Sequence, residues 1–133
     1  MLALGHLIID GVLDAFPNLR FAFLEAGVGW VPHYMDRLDS AYTNFGPTDR
    51  LLKKQPRDYV RSPQLFYAAD PDEPMLDAIA EEIGGHGLVI GSDYCHPEGM
   101  CPETIRALAD RTNITDELKK GILSDNPARL YGL

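Results

Sequence analysis

Length, composition and charge describe one acidic globular domain. The chain has 133 residues, of which 45% are hydrophobic, and this is enough for a single domain with its own core. The formal net charge of -8 and the pI of about 4.8 argue against a nucleic-acid partner, because phosphates need clustered lysine and arginine. No apolar stretch of the sequence is long enough to span a membrane, so we expect no membrane partner.

The start of the chain and its cysteines predict a cytoplasmic location. Residues 1–10 have neither the basic region nor the small-residue cleavage site of a signal peptide. Cys95 and Cys101 are too few for a disulfide scaffold and lack zinc-finger spacing. Two reduced thiols in a cytosolic protein are the simplest explanation.

The first half of the chain predicts a helix, a strand and a second helix. The apolar face of the first helix consists of Leu4, Ile8, Val12 and Phe16, and the proline at position 17 ends it. Leu19 to Leu24 is a strand candidate that ends at Glu25. Glycines 27 and 29 then turn the chain into a helix whose apolar face is Trp30, Tyr34, Leu38 and Ala41.

The second half continues the alternation. A polar turn with Gly46-Pro47 precedes a short, broken helix over residues 51–61, and the strand Leu65 to Ala68 ends at Asp70. A helix over Glu73 to Ile83 leads to the buried strand Leu88 to Ile90. A helix begins at Pro102, with Ile105, Leu108 and Ala109 inward. The predicted N-caps of two last short helices are Thr115 and Asn126.

This alternation predicts an α/β fold with parallel strands and helical crossovers. Each strand finishes on an acidic residue, namely Glu25, Asp70 or Asp93. A parallel sheet places all three at one rim, where chemistry collects in α/β folds. Carboxylates after strands are also ordinary helix caps, and we assign Asp70, with its neighbours Asp72 and Glu73, to capping the helix that follows.

The stretch Ser92-Asp93-x-x-His96 is the most informative motif of the chain. It follows the apolar run Leu88 to Ile90 directly, and a carboxylate and an imidazole at the end of a buried strand are costly unless they are paired or bind something. The alternative is that Ser92 or Asp93 caps a following turn.

Three segments resemble the amidohydrolase-related family, which contains aminocarboxymuconate-semialdehyde decarboxylase. PNLRFAFLEAGVGWVP at residues 17–32, followed by RLD at 37–39, is similar to the sixth strand-and-helix unit of that family. GSDYCH at residues 91–96 resembles its Ser-Asp-Tyr-Pro-His segment after the eighth strand, with Cys95 in place of proline. DNPARLYG at residues 125–132 resembles its C-terminal signature.

The resemblance implies the C-terminal portion of a TIM barrel, with about three parallel strands and flanking helices, so that residues 1–133 form a partial amidohydrolase-related domain. The family's His-x-His metal pair and the histidine after its fifth strand have no counterpart here, and His6 lies inside a helical pattern. We therefore expect a fragment or a truncated product, because a complete barrel needs about 250 residues.

The resemblance also implies roles for single residues. Asp93 matches the aspartate that binds the metal or acts as a base. His96 lies near the same rim and is a candidate to orient Asp93 or contact the substrate; the alternative is a loop histidine that caps or packs. Glu25 and Trp30 are candidate substrate-binding residues; the alternatives are a capping or supporting role for Glu25 and core packing for Trp30. The implied cofactor is a divalent metal, zinc, in the complete barrel and none in this fragment.

Two functions follow from this reading. The first is a partial metal-dependent enzyme that hydrolyses or non-oxidatively decarboxylates a small, aromatic or unsaturated, carboxylic acid, with the fragment alone inactive. The second is a non-catalytic barrel remnant that acts as an association module. In both cases we expect self-association or pairing with the missing half. The sheet has two open edges, and the inner face, formed by Phe21 or Phe23, Phe66 and Val89, has no opposite wall.

Overall fold

The computed structural model describes residues 1–46, 52–96 and 101–133. The three strands are β1 Phe21–Phe23, β2 Leu65–Ala69 and β3 Leu88–Ile90. The helices are α1 Leu2–Ile9, α2 Val12–Ala15, α3 Trp30–Phe45, α4 Pro56–Val60, α5 Leu76–Ile83, α6 Thr104–Ala109, α7 Asp116–Lys120 and α8 Asn126–Tyr131, with a 3₁₀ turn at Gly85–Gly87 and a π turn at Gly121–Asp125. The proline of the predicted turn at 46–47 and the first residue of the predicted helix over 51–61 lie outside the described residues.

The three strands form one parallel sheet in the order β1-β2-β3. All five residues of β2 are buried, as expected for a central strand with cover on both faces. The predicted α/β fold with three parallel strands and flanking helices is thereby confirmed. Strand β1 is shorter than predicted, because Leu19 and Leu24 are exposed and lie outside the residues that pair with β2.

The two faces of the sheet carry different cores. Leu65, Tyr67 and Ala69 belong to the main core with the helices, whereas Phe66 and Ala68 pack with Val89 on the other face. Phe21 and Phe23 lie opposite Leu65 and Tyr67 in the register, so they face the helices. The expectation that one of them lines the inner face is wrong.

The C-terminal helix covers the inner face that the sequence predicts to be open. Leu130 packs against Phe66, Ala68 and Val89, and the Arg129 guanidinium lies 5.1 Å from the centre of the Phe66 ring. Phe66 is fully buried, and Val89 is 4% exposed. The chain therefore supplies part of its own wall on this side.

Several helix faces are rotated or cut short relative to prediction. The first helix breaks at Gly11, whose φ of 73° is left-handed, and Phe16 is 58% exposed. In α3 the buried residues are Val31 and Met35, one position beyond the predicted stripe, and Ala41 is exposed. The face of α5 is as predicted, because Leu76, Ile79, Ala80 and Ile83 are all buried.

The helices after β3 also depart from prediction. In α6 Leu108 is buried, but Ile105 is 55% exposed, Ala109 is exposed, and the helix begins two residues after Pro102. Thr115 is a true N-cap, since its Oγ1 accepts a hydrogen bond from the Leu118 amide at 3.1 Å. Asn126 is not one. Its buried amide instead donates to the carbonyls of Gly85 and Leu88, at 2.8 and 2.6 Å.

Within the described ranges, every helix is too short or too polar to cross a membrane.

Candidate functional site

The C-terminal ends of the three strands open onto one cleft of about 690 Å³. All three strand-end acids of the sequence, Glu25, Asp70 and Asp93, contribute to its lining, and His96 joins them. The parallel sheet brings these residues together because equivalent ends of parallel strands share one edge.

The backbone is strained where it turns away from β1 and β3. Glu25 has a φ of 60° and Asp93 a φ of 48°, both in the left-handed region, and Cys95 has a φ of 70°. Aspartate tolerates this conformation better than most residues, whereas glutamate and cysteine rarely adopt it. Such strain costs on the order of 1–3 kcal/mol per residue and tends to cluster at functional sites.

Asp93 and His96 form the closest interacting pair of the predicted site residues. The His96 Nδ1 lies 3.5 Å from Asp93 Oδ2, and the His96 amide donates to the Asp93 carbonyl at 3.0 Å. The Tyr94 amide donates to Ser92 Oγ at 3.3 Å, so the motif is one tight turn. The side chains of Asp93 and His96 are 47% and 56% exposed, which leaves both accessible to a ligand.

Asp70 lies in the cleft. The residue is exposed, but partial desolvation in the cleft raises the pKa of its carboxyl from the usual value, and the negative charges of Glu73, Asp72 and Asp93 raise that pKa further. Asp70 therefore holds a proton to higher pH than an ordinary aspartate. Asp70 was assigned to a helix cap, and the structure places it in the lining of the cleft as well.

Glu73 was expected to begin and cap its own helix, and the structure corrects this. The helix begins at Leu76, after Met75 with a left-handed φ of 58°. The Glu73 carboxylate instead accepts hydrogen bonds from the Val28 and Gly29 amides, each at 3.0 Å. No local signal in the sequence indicates a contact across 45 residues.

Trp30 lies at the start of α3, on the helix side of the sheet. Its indole Nε1 donates to the Gly27 carbonyl at 3.1 Å, and its ring packs edge-on against Phe23 at 6.3 Å and beside Tyr34 at 6.0 Å. Trp30 is not among the described residues that line the cleft. This geometry favours the packing alternative, and a substrate contact for Trp30 stays a prediction.

Thr104 is a cleft residue that sequence reasoning missed. Its side chain is almost completely buried at the start of α6, and its hydroxyl has no hydrogen-bond partner within the described part of the chain. A buried hydroxyl without a partner costs free energy. The only sequence signal is a polar residue at the first position of a helix, which is too common to single it out.

The cleft contains only part of what a catalytic metal needs. Among residues 1–46, 52–96 and 101–133, no three side chains of His, Cys, Asp or Glu converge on a common point. Catalytic zinc takes three protein ligands, and Asp93 is the one that the sequence motif suggests. The described donor set therefore does not form a complete metal site.

The chain is similar to known proteins in both sequence and structure. A sequence model described as Amidohydrolase matches residues 1–133. An amidohydrolase from Mycobacterium avium subsp. paratuberculosis K-10 is structurally similar, with a TM-score of 0.81 and 23% identity over 96% of this chain and 32% of that one. The 5-carboxyvanillate decarboxylase LigW from Sphingomonas paucimobilis has a TM-score of 0.74 and 22% identity over 97% of this chain and 38% of that one.

At these identities the structural matches show the fold alone. The chain spans 32% and 38% of the length of the two solved structures.

Proposed function

The chain belongs to the amidohydrolase family and has the fold of a TIM-barrel portion, and from this premise we propose that it forms the C-terminal part of an active-site rim. The complete enzyme would hydrolyse or non-oxidatively decarboxylate a small carboxylic acid. The observation that carries this proposal is the position of Asp93, at the end of β3 on the cleft, with His96 beside it.

In the proposed mechanism Asp93 moves a proton. Its carboxylate is half-exposed on the cleft, so it can accept a proton from one reacting group and return it to another. His96, with Nδ1 3.5 Å from Asp93 Oδ2, is close enough to orient the carboxylate. Asp70 adds a carboxyl with a raised pKa, and such a group can donate a proton across the cleft.

The charge of the cleft constrains the substrate and the cofactor. Carboxylates at Glu25, Asp70 and Asp93 repel a carboxylate substrate, so such a substrate requires positive charge in the cleft. The family generally uses divalent metals, and we propose zinc, with Asp93 as one ligand. An aromatic acid is the first class to test, because one structural neighbour is a 5-carboxyvanillate decarboxylase.

The test compares the 133-residue chain with a chain extended by the reading frame upstream of Met1. Both are analysed for bound metal, and both are assayed for carbon dioxide release from aromatic acids and for hydrolysis of esters, amides and lactones. We expect metal and turnover in the extended chain and neither in the 133-residue chain. An extended chain that binds metal and turns over none of these substrates would contradict the proposal.

A second function, association without catalysis, is favoured by the edges of the sheet. In the described residues β1 and β3 each pair with β2 only, so each has one edge without a strand. Open edges pair readily with other chains. We propose self-association, or pairing with the remainder of a barrel, as the role of the chain if the catalytic test fails.

A further inference from the structure

Glu73 is a buried carboxylate whose charge is stabilised by main-chain amides. Glu73 is only 9% exposed. Burial of a carboxylate is costly unless strong hydrogen bonds compensate for the lost water. Oε2 accepts from the Val28 amide and Oε1 from the Gly29 amide, both at 3.0 Å, and Oε2 also lies 3.4 Å from the Asp70 amide. Both oxygens are therefore used.

Two of these amides, those of Val28 and Gly29, lie immediately before α3, a helix of 16 residues whose N-cap is Gly29. An amide at the N-cap position has no partner within the helix. A negative charge at this end also suits the helix dipole. Glu73 thus holds the backbone that leads into α3, although it lies 44 residues after Gly29 in the sequence.

The segment over residues 24–29, which we term the β1–α3 segment, is shaped to fit this carboxylate. A Cβ atom at Gly27 would lie 2.7 Å from Glu73 Oε2, and one at Gly29 would lie 3.1 Å from Oε1. Gly27 also has a left-handed φ of 57°. Glycine at both positions lets the backbone approach the two oxygens closely.

The segment over residues 70–75, termed the β2–α5 segment, is itself anchored from the other side. Arg111 donates to the carbonyls of Pro71 and Glu73, each at 2.9 Å, and to the Asn113 side chain at 3.0 Å. The backbone that carries the Glu73 carboxylate is therefore held from a third part of the chain.

From these contacts we propose that Glu73 is a positioning residue that holds the β1–α3 segment against the β2–α5 segment. In doing so it sets the position of Glu25 relative to Asp70 across the cleft. The part of this inference that concerns the reaction rests on the proposed function, whereas the positioning itself can be measured without any turnover.

Trp30 is the chain's only tryptophan and reports on the β1–α3 segment, because its indole donates to the Gly27 carbonyl. Glu73→Gln keeps the shape of the side chain but removes its charge and one acceptor. We expect amide hydrogen exchange at Val28 and Gly29 to rise about tenfold to a hundredfold, as loss of a hydrogen bond to a charged group predicts. Trp30 emission should shift to longer wavelength, while exchange in β2 changes much less.

Glu81→Gln, an exposed glutamate on α5, is the matched control and should leave both readouts at wild-type values. A uniform rise in exchange across β2 and the β1–α3 segment would show that Glu73 acts only on global stability and would overturn the proposal. Unchanged exchange at Val28 and Gly29 would overturn it as well.

A glycine substitution gives a second test that does not depend on the behaviour of Glu73→Gln. Gly29 has an ordinary helical φ of -58°, so an alanine there causes no backbone strain. Its Cβ would instead come too close to the Glu73 carboxylate. Gly29→Ala should lower the denaturation midpoint in the wild-type background and leave it unchanged or higher in the Glu73→Ala background. Equal effects in both backgrounds would contradict the proposal.

These results separate the positioning role from the proposed function. An extended chain without turnover, in which Glu73→Gln still releases Val28 and Gly29, would refute the enzyme proposal and support the positioning role. An active extended chain in which Glu73→Gln leaves those amides protected would do the opposite.

Discussion

Asp93 combines three properties. It follows a buried strand, it has a left-handed backbone conformation, and it lies within 3.5 Å of an imidazole. The capping alternative is met at Ser92, whose Oγ accepts a hydrogen bond from the Tyr94 amide at 3.3 Å. Proton transfer by Asp93 stays a prediction.

Replacing Asp93 is the direct test of that role. In an extended, active chain, Asp93→Asn should lower turnover by about a hundredfold or more, because general acid–base steps contribute this much. The measurement is the steady-state rate with the best substrate. Asp116→Asn, at a fully exposed position on α7, is the control and should retain the wild-type rate. A near-normal rate for Asp93→Asn would remove Asp93 from the mechanism.

Asp70 predicts a dependence of stability on pH. Its pKa is raised from 3.8 in the folded state, by partial desolvation and by the neighbouring carboxylates, so the folded protein binds this proton more tightly than the unfolded chain does. Stability from this group is complete below the unfolded pKa and falls as the pH rises through the folded pKa. Asp70→Asn should therefore be more stable than wild type at pH 7.

The gain in stability for Asp70→Asn should shrink as the pH falls towards 3.8 and vanish below it, where both states hold the proton. Urea denaturation at several pH values from 4 to 7 measures it, with Asp116→Asn as the control. A gain of equal size at both ends of the range would show that removal of the Asp70 charge is not its cause.

Among the elements, the short helix α6 shows how the apolar spacing of a sequence can predict the wrong buried residue. Ile105 and Leu108 were both expected to be inward, since they lie three positions apart. In the structure Leu108 is fully buried, whereas Ile105 is 55% exposed and Thr104 occupies the buried position beside it. A helix of six residues has too few positions for periodicity to define its inner face.

The two apolar residues of α6 form a matched pair for mutation. Leu108→Ala should lower the free energy of unfolding by about 2–5 kcal/mol, because it leaves a cavity in the core. Ile105→Ala removes a similar side chain from the surface and should change it by about 0.5 kcal/mol or less. Denaturant titration of both variants measures the difference. Equal losses would mean that α6 packs on its other face.

In the whole molecule, the face and the edges of the sheet differ in how far the chain covers them. The inner face is partly closed by α8, since Leu130 and Arg129 lie over Phe66 and Val89. Apolar exposure on that face is therefore smaller than the sequence suggests. The edges of β1 and β3 are different, because no strand of the described residues covers them.

We expect the chain to self-associate through these edges, in a manner that depends on concentration. Ala22→Lys places a charge on the exposed edge strand β1 and should shift the equilibrium towards monomer, because lysine on an edge disfavours strand pairing. Ala41→Lys, on the exposed face of α3, adds the same charge away from the sheet and serves as the control. Sedimentation velocity over a range of concentrations measures both, and a wild-type chain that stays monomeric throughout would contradict the expectation.

The amino-acid sequence by itself determined the parallel α/β architecture, the three strands and the pairing of Asp93 with His96. These features are local: short apolar runs bounded by turns define strands, the helices between them require parallel connections, and residues three positions apart in a tight turn are neighbours. Membership of a family could be recognised for the same reason, since its motifs are contiguous segments.

Only the tertiary structure decided which side of the sheet Phe21 and Phe23 face, that α8 covers Phe66, and that Glu73 binds the amides that precede α3. Each depends on the register of strands or on a contact between residues more than 40 positions apart. Local propensity and spacing carry no information on such contacts, because the energy of a buried carboxylate or an apolar face depends on which distant groups the folded chain brings to it.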